Sequence, residues 1–175
     1  VPYSIDHPQE TNRANVDGTV NLLDAAVKAK VKRVVFASSS SVYGEQTDFP
    51  LSEDMTPNPL SPYAVQKLTG EYYGKVYHNL FGISFIALRY FNVYGPGQDP
   101  DSPYSGIVTL LRKCKEEDQP FSIFGDGEQT RDFTYVSDVV SANIKAAFCS
   151  VPFGIFNIGT QTETSLNELA QIIGG

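Results

Sequence analysis

Cysteine and histidine are scarce in this sequence, and their scarcity argues against several kinds of catalytic site. Among its 175 residues there are two of each. Cys114 and Cys149 stand far apart, without the spacing of a CxxC motif, so the sequence indicates neither a disulfide framework nor a zinc site. Because His7 and His78 are the only histidines, a histidine-based triad is disfavoured. We therefore expect reduced cysteines, no metal and a cytoplasmic location.

Long hydrophobic runs and clustered positive charge are also missing. No apolar run approaches the roughly 20 residues that cross a bilayer, and no signal-peptide pattern opens the chain. The 13 lysines and arginines are scattered, whereas 20 acidic residues bring the net charge to −7. A nucleic-acid-binding surface needs clustered basic residues. We expect neither a nucleic-acid partner nor a membrane partner. Because the net charge is negative, any anionic ligand must be bound by a few specifically positioned side chains.

Helical patterns alternate with short apolar runs through most of the chain. Apolar residues at helical spacing predict a helix over residues 8–30, and a second helix spans 61–80. The runs at 34–37 and 83–88 are continuously apolar, which is typical of strands buried on both faces. This alternation predicts an α/β fold with a mainly parallel sheet.

The second half continues the pattern after a Gly/Pro cluster from Gly95 to Pro103, which marks a crossing into another region. Ser165 and Glu168 have the spacing of a capping box. The predicted elements are a helix at 106–117, strands at 121–124, 133–136 and 155–159, and helices at 137–148 and from 165 onward.

The stretch from Ser61 to Lys67 has the pattern of a reactive helix start. Ser61 can cap the helix, and Pro62 suits its first position. Tyr63 and Lys67 then stand at i and i+4 on one face. An ammonium beside a phenol favours the phenolate and lowers its pKa from about 10 towards neutrality, giving a general base. The same residues are also compatible with a surface tyrosine and a surface lysine that share no function.

Four serines, Ser38 to Ser41, follow the first predicted strand. Ligands of open parallel sheets bind outside the carboxyl ends of the strands, so a polar strand exit is placed to contact one. A polar loop with turn propensity would explain the same serines.

Six blocks of sequence, in order, carry a resemblance to a known family. They are residues 15–19 (NVDGT), 38–44 (SSSSVYG), 63–67 (YAVQK), 88–96 (LRYFNVYGP), 127–133 (GEQTRDF) and 156–159 (FNIG). With them the chain resembles the extended short-chain dehydrogenase/reductases, specifically the NAD-dependent nucleotide-sugar epimerases. The resemblance implies a Rossmann-type, doubly wound parallel sheet with part of a smaller substrate-binding α/β domain.

The resemblance also implies the cofactor site. NAD is the expected cofactor. Tyr63 would be the catalytic base, and Lys67 would hydrogen-bond the nicotinamide ribose while lowering the tyrosine pKa. Asn15, Tyr90 and Ser38 would help to hold the cofactor.

On the substrate side, the family's pattern implies a UDP-sugar. Ser39 would hydrogen-bond the reacting sugar hydroxyl, with Ser40 beside it. The remaining contacts implied are Asn92 to the sugar-nucleotide, Arg131 to the diphosphate, and Ser122 and Phe124 as walls of the uridine site. A delocalised, permanently charged guanidinium suits a diphosphate.

The reaction implied is epimerisation at carbon 4 through transient oxidation. Dehydratase and decarboxylase relatives carry an acidic residue at the strand exit, where this chain has Ser39, Ser40 and Ser41. The blocks look closest to those of UDP-glucose or UDP-N-acetylglucosamine 4-epimerases. UDP-glucuronate epimerases share the SSSSVYG block, so this activity remains an alternative.

One departure from the family's pattern concerns the amino end, where a GxxGxxG loop for the pyrophosphate is expected and is absent. We expect a partial sequence that lacks the first strands, from a protein about twice as long. In isolation such a chain would be an inactive fragment or binding module.

The expected division assigns residues 1–95 and 133–160 to the NAD-binding domain, and 96–132 and 161–175 to the sugar-nucleotide domain. The expected assembly is a homodimer through the helices near 12–30 and 61–80.

Overall fold

Helices and strands alternate along the described chain, which comprises residues 1–102 and 105–174 of this computed structural model. In chain order the elements are α1 (Pro2–Asp6), α2 (Pro8–Asn12), α3 (Gly18–Lys28), β1 (Arg33–Ser39), α4 (Pro62–Phe81), β2 (Ser84–Tyr90), β3 (Asn92–Tyr94), α5 (Ile107–Glu116), β4 (Thr130–Arg131), β5 (Phe133–Tyr135), α6 (Val136–Phe148), β6 (Phe153–Ile158), β7 (Thr164–Ser165) and α7 (Leu166–Gly174). A π-helical segment, Arg13–Asp17, joins α2 to α3, and a 3₁₀ turn, Ser40–Tyr43, follows β1.

The chain divides into two units. The first consists of Val1–Tyr90 and Val140–Ile158, and the second of Phe91–Val139 and Gly159–Gly175. The boundary therefore falls once within α6.

The sheet of the first unit has three parallel strands in the order β1–β2–β6. Residues Phe85 to Leu88 of the central strand are almost fully buried, because the sheet is covered on both faces. The predicted α/β fold with a parallel sheet is confirmed. Register pairs Ser39 with Tyr90, so the carboxyl ends of β1 and β2 lie side by side.

Two glycines bring α4 close to this sheet. A Cβ on Gly70 would lie 2.3 Å from the Phe36 ring, and one on Gly74 would lie 2.1 Å from the Phe85 ring. Tyr77 of α4 and Leu23 of α3 join the same buried cluster as Phe85. This packing sets the amino end of α4 beside the end of β1.

The second unit has its own small core, formed by Leu111 of α5 with Leu166 and Leu169 of α7. The predicted capping box opens α7. The Ser165 hydroxyl accepts from the Glu168 N–H at 3.1 Å, and the Glu168 carboxylate accepts from the Ser165 N–H at 2.9 Å. The short strands pair as β3 with β5 in parallel and β4 with β7 in antiparallel.

Two predicted elements differ in the structure. Residues 121–124 form no strand, because no strand of the described chain pairs with them; Phe121 and Ile123 instead pack into the core of the second unit, and Phe124 is 87% exposed. The first predicted helix is interrupted by the π-helical segment and is preceded by α1, a helix that the sequence pattern does not predict. No helix among the described residues is long and apolar enough to cross a membrane.

Candidate active site

The amino end of α4 is built as the sequence predicts. Ser61 is the N-cap, and its hydroxyl accepts from the Ala64 N–H at 3.2 Å. Pro62 takes the first helical position, where no donor is needed. The Tyr63 N–H donates to the hydroxyl of Ser4 at 3.1 Å. Ser4 is buried and comes from α1, 59 residues earlier, so no local pattern could reveal it.

At the end of β1, neighbouring serines face different surroundings because side chains alternate along a strand. Ser38 is 2% exposed, and its hydroxyl donates to the Glu71 carboxylate at 2.5 Å. The Ser38 side chain is thus held inside the core, and its role toward a cofactor stays a prediction. Ser39 is half-buried at the strand end and caps the following 3₁₀ turn.

Ser39, Tyr63 and Lys67 come together in the first unit. The Lys67 ammonium lies 5.6 Å from the centroid of the Tyr63 ring and donates to the Ala37 carbonyl at 2.9 Å. The Ser39 side chain lies close enough to the Tyr63 phenol to lower its pKa. Two chain segments, the end of β1 and the start of α4, thus combine a phenol, an ammonium and a hydroxyl.

The electrostatics of this cluster differ from the sequence expectation. Burial raises the pKa of Tyr63 above its ordinary value, and the Ser39 hydrogen bond opposes that rise. Burial also lowers the pKa of the Lys67 ammonium. The expected lowering of the tyrosine pKa by Lys67 is not found: burial of the phenol is the largest cause acting on the pKa of Tyr63, and Lys67 is not among the groups that shift it.

A buried ion pair joins β2 to α4 next to the carboxyl end of β1. Arg89 of β2 and Glu71 of α4 are 3% and 1% exposed, and the guanidinium grips the carboxylate through Nε at 2.9 Å and Nη2 at 2.7 Å. The guanidinium also lies 4.7 Å from the centroid of the Tyr43 ring. No sequence motif predicts this pair. The signal for it is an arginine directly after the apolar run of β2, since a buried guanidinium requires a carboxylate partner.

The other residues expected at the cofactor site lie elsewhere in the first unit. Asn15 sits in the π-helical segment, and its amide donates to the Gln66 side chain at 2.8 Å. The Tyr90 hydroxyl hydrogen-bonds the amide of Asn143 on α6, at 3.0 Å as donor. Their roles toward a cofactor stay predictions.

The expected substrate residues of the second unit have exposed side chains. Asn92 donates from its amide to the Asp132 carbonyl at 2.9 Å. The Arg131 guanidinium donates to the Thr130 carbonyl at 2.7 Å and forms no ion pair with a carboxylate in the described part of the chain. Ser122 and Phe124 are exposed on the loop before β4. These side chains are therefore accessible within their unit.

Asp132 holds the segment that carries Asn92 and Arg131. Its carbonyl accepts from the backbone and the side chain of Asn92, and its carboxylate accepts from Thr160 and Gln161. No local sequence pattern predicts this role, because the partners stand 28 to 40 residues away.

The family model of the NAD dependent epimerase/dehydratase family matches residues 1–159. The chain belongs to this family. It is 46% identical to a putative UDP-glucose 4-epimerase of Methanocaldococcus jannaschii, over 99% of this chain and 56% of that protein. It is 42% identical to a UDP-N-acetyl-alpha-D-glucosaminuronate decarboxylase of Bacillus cytotoxicus, over 99% of this chain and 54% of that protein. The chain therefore spans about half the length of the curated relatives it matches.

Among solved structures, the chain is similar to a UDP-N-acetylglucosamine 4-epimerase from Methanobrevibacter ruminantium in complex with UDP-N-acetylmuramic acid. The TM-score is 0.96 at 39% identity, and the match covers 99% of this chain and 56% of the other. The Rossmann-type fold expected from the sequence is thereby confirmed.

NAD is the cofactor of the epimerase/dehydratase family, and the donor set at the strand exit fits its nicotinamide ribose. One N–H of the Lys67 ammonium is used by Ala37, which leaves two for a ligand. The Tyr63 hydroxyl both donates and accepts. Two neighbouring ribose hydroxyls need such a mixture of donors and acceptors. The fit concerns the nicotinamide-ribose end of NAD.

Proposed function

We propose that the whole protein catalyses epimerisation of a UDP-sugar at carbon 4, by transient oxidation to a 4-keto sugar. The observation that carries the proposal is the cluster of Ser39, Tyr63 and Lys67 at the carboxyl end of β1. Bound NAD would supply the acceptance and return of a hydride at the sugar carbon.

Within this proposal the chain's own residues handle the proton and the substrate. The Tyr63 phenolate takes the proton of the sugar 4-hydroxyl, and Ser39 hydrogen-bonds the same hydroxyl. Lys67 binds the ribose. In the second unit Arg131 meets the diphosphate and Asn92 contacts the sugar-nucleotide. Ser122 and Phe124 wall the uridine, and the Phe124 ring is flat and 87% exposed. Asn15 and Tyr90 support the cofactor.

Epimerisation is favoured over elimination and decarboxylation because of the strand exit. Positions 39, 40 and 41 are all serine, whereas elimination requires an additional acid or base at the substrate. The similarity to a decarboxylase supports that reaction as a second candidate. Epimerisation of UDP-glucuronate is a third candidate reaction, because it would use the same serine block at residues 38–44.

We assign residues 1–95 and 133–160 to binding NAD, and 96–132 and 161–175 to binding the sugar-nucleotide. We also propose that the protein is a homodimer through the helical regions near 12–30 and 61–80.

The test is product analysis of the whole protein with UDP-glucose, UDP-N-acetylglucosamine and UDP-glucuronate. We expect a 4-epimer from at least one, and a loss of about 10²- to 10⁴-fold in kcat for Tyr63→Phe. Tyr72→Phe is the matched control, since Tyr72 lies on the same helix and is 58% exposed. Decarboxylated or dehydrated products alone would contradict the proposal.

A parallel measurement concerns the cofactor. Absorbance and fluorescence of bound NAD, recorded for the whole protein and for the 175-residue chain, separate an enzyme from an inactive fragment. We expect stoichiometric NAD in the whole protein and none in the isolated chain.

A further inference from the structure

The half-buried carboxylate of Asp132 is bound by a short segment that follows β6. The Thr160 N–H donates to Oδ1 and Oδ2 at 2.9 and 2.8 Å, and the Thr160 hydroxyl donates to Oδ1 at 2.9 Å. The Gln161 N–H donates to Oδ2 at 2.8 Å. An ionised carboxylate only accepts hydrogen bonds, so the direction of each bond is fixed. Two backbone donors and one hydroxyl thus hold this side chain.

The backbone of this segment is shaped around the carboxylate. The N–H groups of Thr160 and Gln161 converge on one anion, as in the backbone nests that bind anions. Gln161 has φ +59°, in the left-handed region that residues other than glycine seldom adopt. Gly159 permits the close approach, since a Cβ there would lie 2.6 Å from Oδ2 of Asp132. The contact therefore depends on the conformation of three consecutive residues.

The main chain of Arg131 is held on both sides. The Asp132 carbonyl accepts from the Asn92 N–H at 3.1 Å and from the Asn92 amide at 2.9 Å. Arg131 itself pairs with Thr164 in the antiparallel ladder of β4 and β7. Thr164 follows Thr160 by four residues, so the ladder and the Asp132 carboxylate join the same two segments at two points. The base of the Arg131 side chain therefore has a defined position.

The contacts of Asp132 also affect which partners the Arg131 guanidinium can bind. The two residues are neighbours in sequence, yet no ion pair among the described residues joins them. The carboxylate is bound by Thr160 and Gln161 instead. Among the described contacts, the guanidinium donates one hydrogen bond, to the Thr130 carbonyl at 2.7 Å. Since a guanidinium has five N–H donors, the others are available to an oxyanion.

We propose that Asp132 is a positioning residue for diphosphate binding. Its carboxylate, held by Thr160 and Gln161, places the Arg131 guanidinium and is itself prevented from pairing with that guanidinium. This inference rests on the proposed function of Arg131. Diphosphate binding then depends on an acidic residue, although a carboxylate by itself repels an anion. The effect is confined to ligands that carry phosphate, because the residues proposed to wall the uridine lie outside this segment.

The test measures ligand binding to the whole protein and needs no turnover. UDP binding is measured by calorimetry, and uridine binding by ligand-observed NMR. We expect Asp132→Asn, which removes the charge and keeps the size, to weaken UDP binding about 10-fold and to leave uridine binding unchanged. Asp118→Asn is the matched control, because Asp118 is an exposed aspartate of the same unit.

A double-mutant cycle tests whether Asp132 acts through Arg131. In an Arg131→Ala background we expect Asp132→Asn to have no further effect on UDP binding, because the guanidinium that it places is absent. Gly159→Ala perturbs the same contact from the other side, since the new Cβ displaces the carboxylate. We expect it to weaken UDP binding at least as much as Asp132→Asn, because the released negative charge stays on the protein.

The kinetic expectation for the 4-epimerase follows from binding alone. We expect Asp132→Asn to raise KM for the UDP-sugar about 10-fold with kcat unchanged, since the diphosphate is bound equally in the ground state and the transition state. Thermal unfolding of each variant checks folding. If Asp132→Asn does not fold, Thr160→Val takes its place. It removes only the hydroxyl donor, and we expect a loss of UDP affinity of about 3-fold.

UDP binding that is unchanged or tighter in a folded Asp132→Asn protein would overturn the inference, as would a wild-type protein that does not bind UDP. Equal losses of UDP affinity with and without Arg131 would do so as well, because they would show a structural role only. Failure of the proposed function is separate. With the expected changes in UDP binding but no 4-epimer, the positioning of Arg131 stands and the reaction at the sugar is a different one.

Discussion

Tyr63 shows how strongly a single residue depends on its surroundings. Lys67 on the same helix face was the expected cause of a low pKa. Instead burial raises the pKa of Tyr63, and the group that opposes this rise is Ser39 on another segment. Residues that are adjacent on a helix were foreseeable, whereas the balance between desolvation and hydrogen bonding was not. That balance requires the burial of each group.

Glu71 is the residue whose loss we expect to cost most in stability. Glu71→Gln leaves the Arg89 charge buried without its carboxylate. Burial lowers the pKa of Arg89, but the interactions with Glu71 and Tyr43 together outweigh burial and raise it. We expect a loss of about 3–5 kcal/mol in the free energy of unfolding, measured by urea denaturation. Glu116→Gln is the matched control, because Glu116 is 69% exposed in its pair with Arg112.

A double variant separates the charge from the packing. Glu71→Leu with Arg89→Met removes both charges, and we expect it to be more stable than Glu71→Gln alone. Equal stabilities of Glu71→Gln and wild type would show that the pair contributes nothing.

At the scale of elements, the approach of α4 to the sheet decides where Tyr63 and Lys67 lie. Helix propensity favours alanine over glycine by about 1 kcal/mol, but at Gly74 a Cβ would overlap the buried Phe85 ring. We expect Gly74→Ala to destabilise the protein by about 1–3 kcal/mol, as overpacking does. Thermal or urea unfolding measures this.

Gly18→Ala provides the opposite sign at the first position of α3. There the nearest atom to a new Cβ is 3.7 Å away, an ordinary contact, and the backbone is helical. We expect this variant to be neutral or slightly stabilised. A similar effect of both substitutions would refute the steric explanation.

The extent of the elements was foreseeable where apolar periodicity and caps agree. The start of α4 at Ser61, the buried run in β2 and the capping box of α7 all depend on neighbours within a few residues. The interruption of the first helix at Arg13–Asp17 was not foreseeable, and neither was the irregular path of residues 121–124. Each depends on contacts with distant parts of the chain.

At the scale of the whole molecule, α4 exposes an apolar stripe. Tyr72, Val76 and Leu80 stand four residues apart and are 58%, 47% and 69% exposed. Side chains at this spacing share one helix face. Leu22 of the neighbouring α3 is 55% exposed. Apolar surface of this kind is typical of an interaction site.

We therefore expect the whole protein to be a dimer by light scattering, and Val76→Glu with Leu80→Glu to give a monomer, because buried unpaired carboxylates oppose association. Ile172→Glu is the control, as Ile172 is 74% exposed on α7 of the second unit. A wild-type protein that is monomeric, or a dimer that survives both substitutions, would contradict the assignment.

The sequence alone determined the α/β alternation, the parallel sheet, the helix start that carries Tyr63 and Lys67, and the family. These follow from periodicity, capping residues and ordered motifs, which act over short stretches of chain. Only the tertiary structure decided which of four consecutive serines turns into the core and which meets Tyr63, since that depends on the pairing of β1 with β2. It also decided that Glu71 and Arg89 pair with each other, that Asp132 holds the segment carrying Asn92 and Arg131, and that Ser39 hydrogen-bonds Ser41. Such contacts join side chains whose distance and burial exist only after folding, because the free energy of a buried charge or hydroxyl depends on what surrounds it.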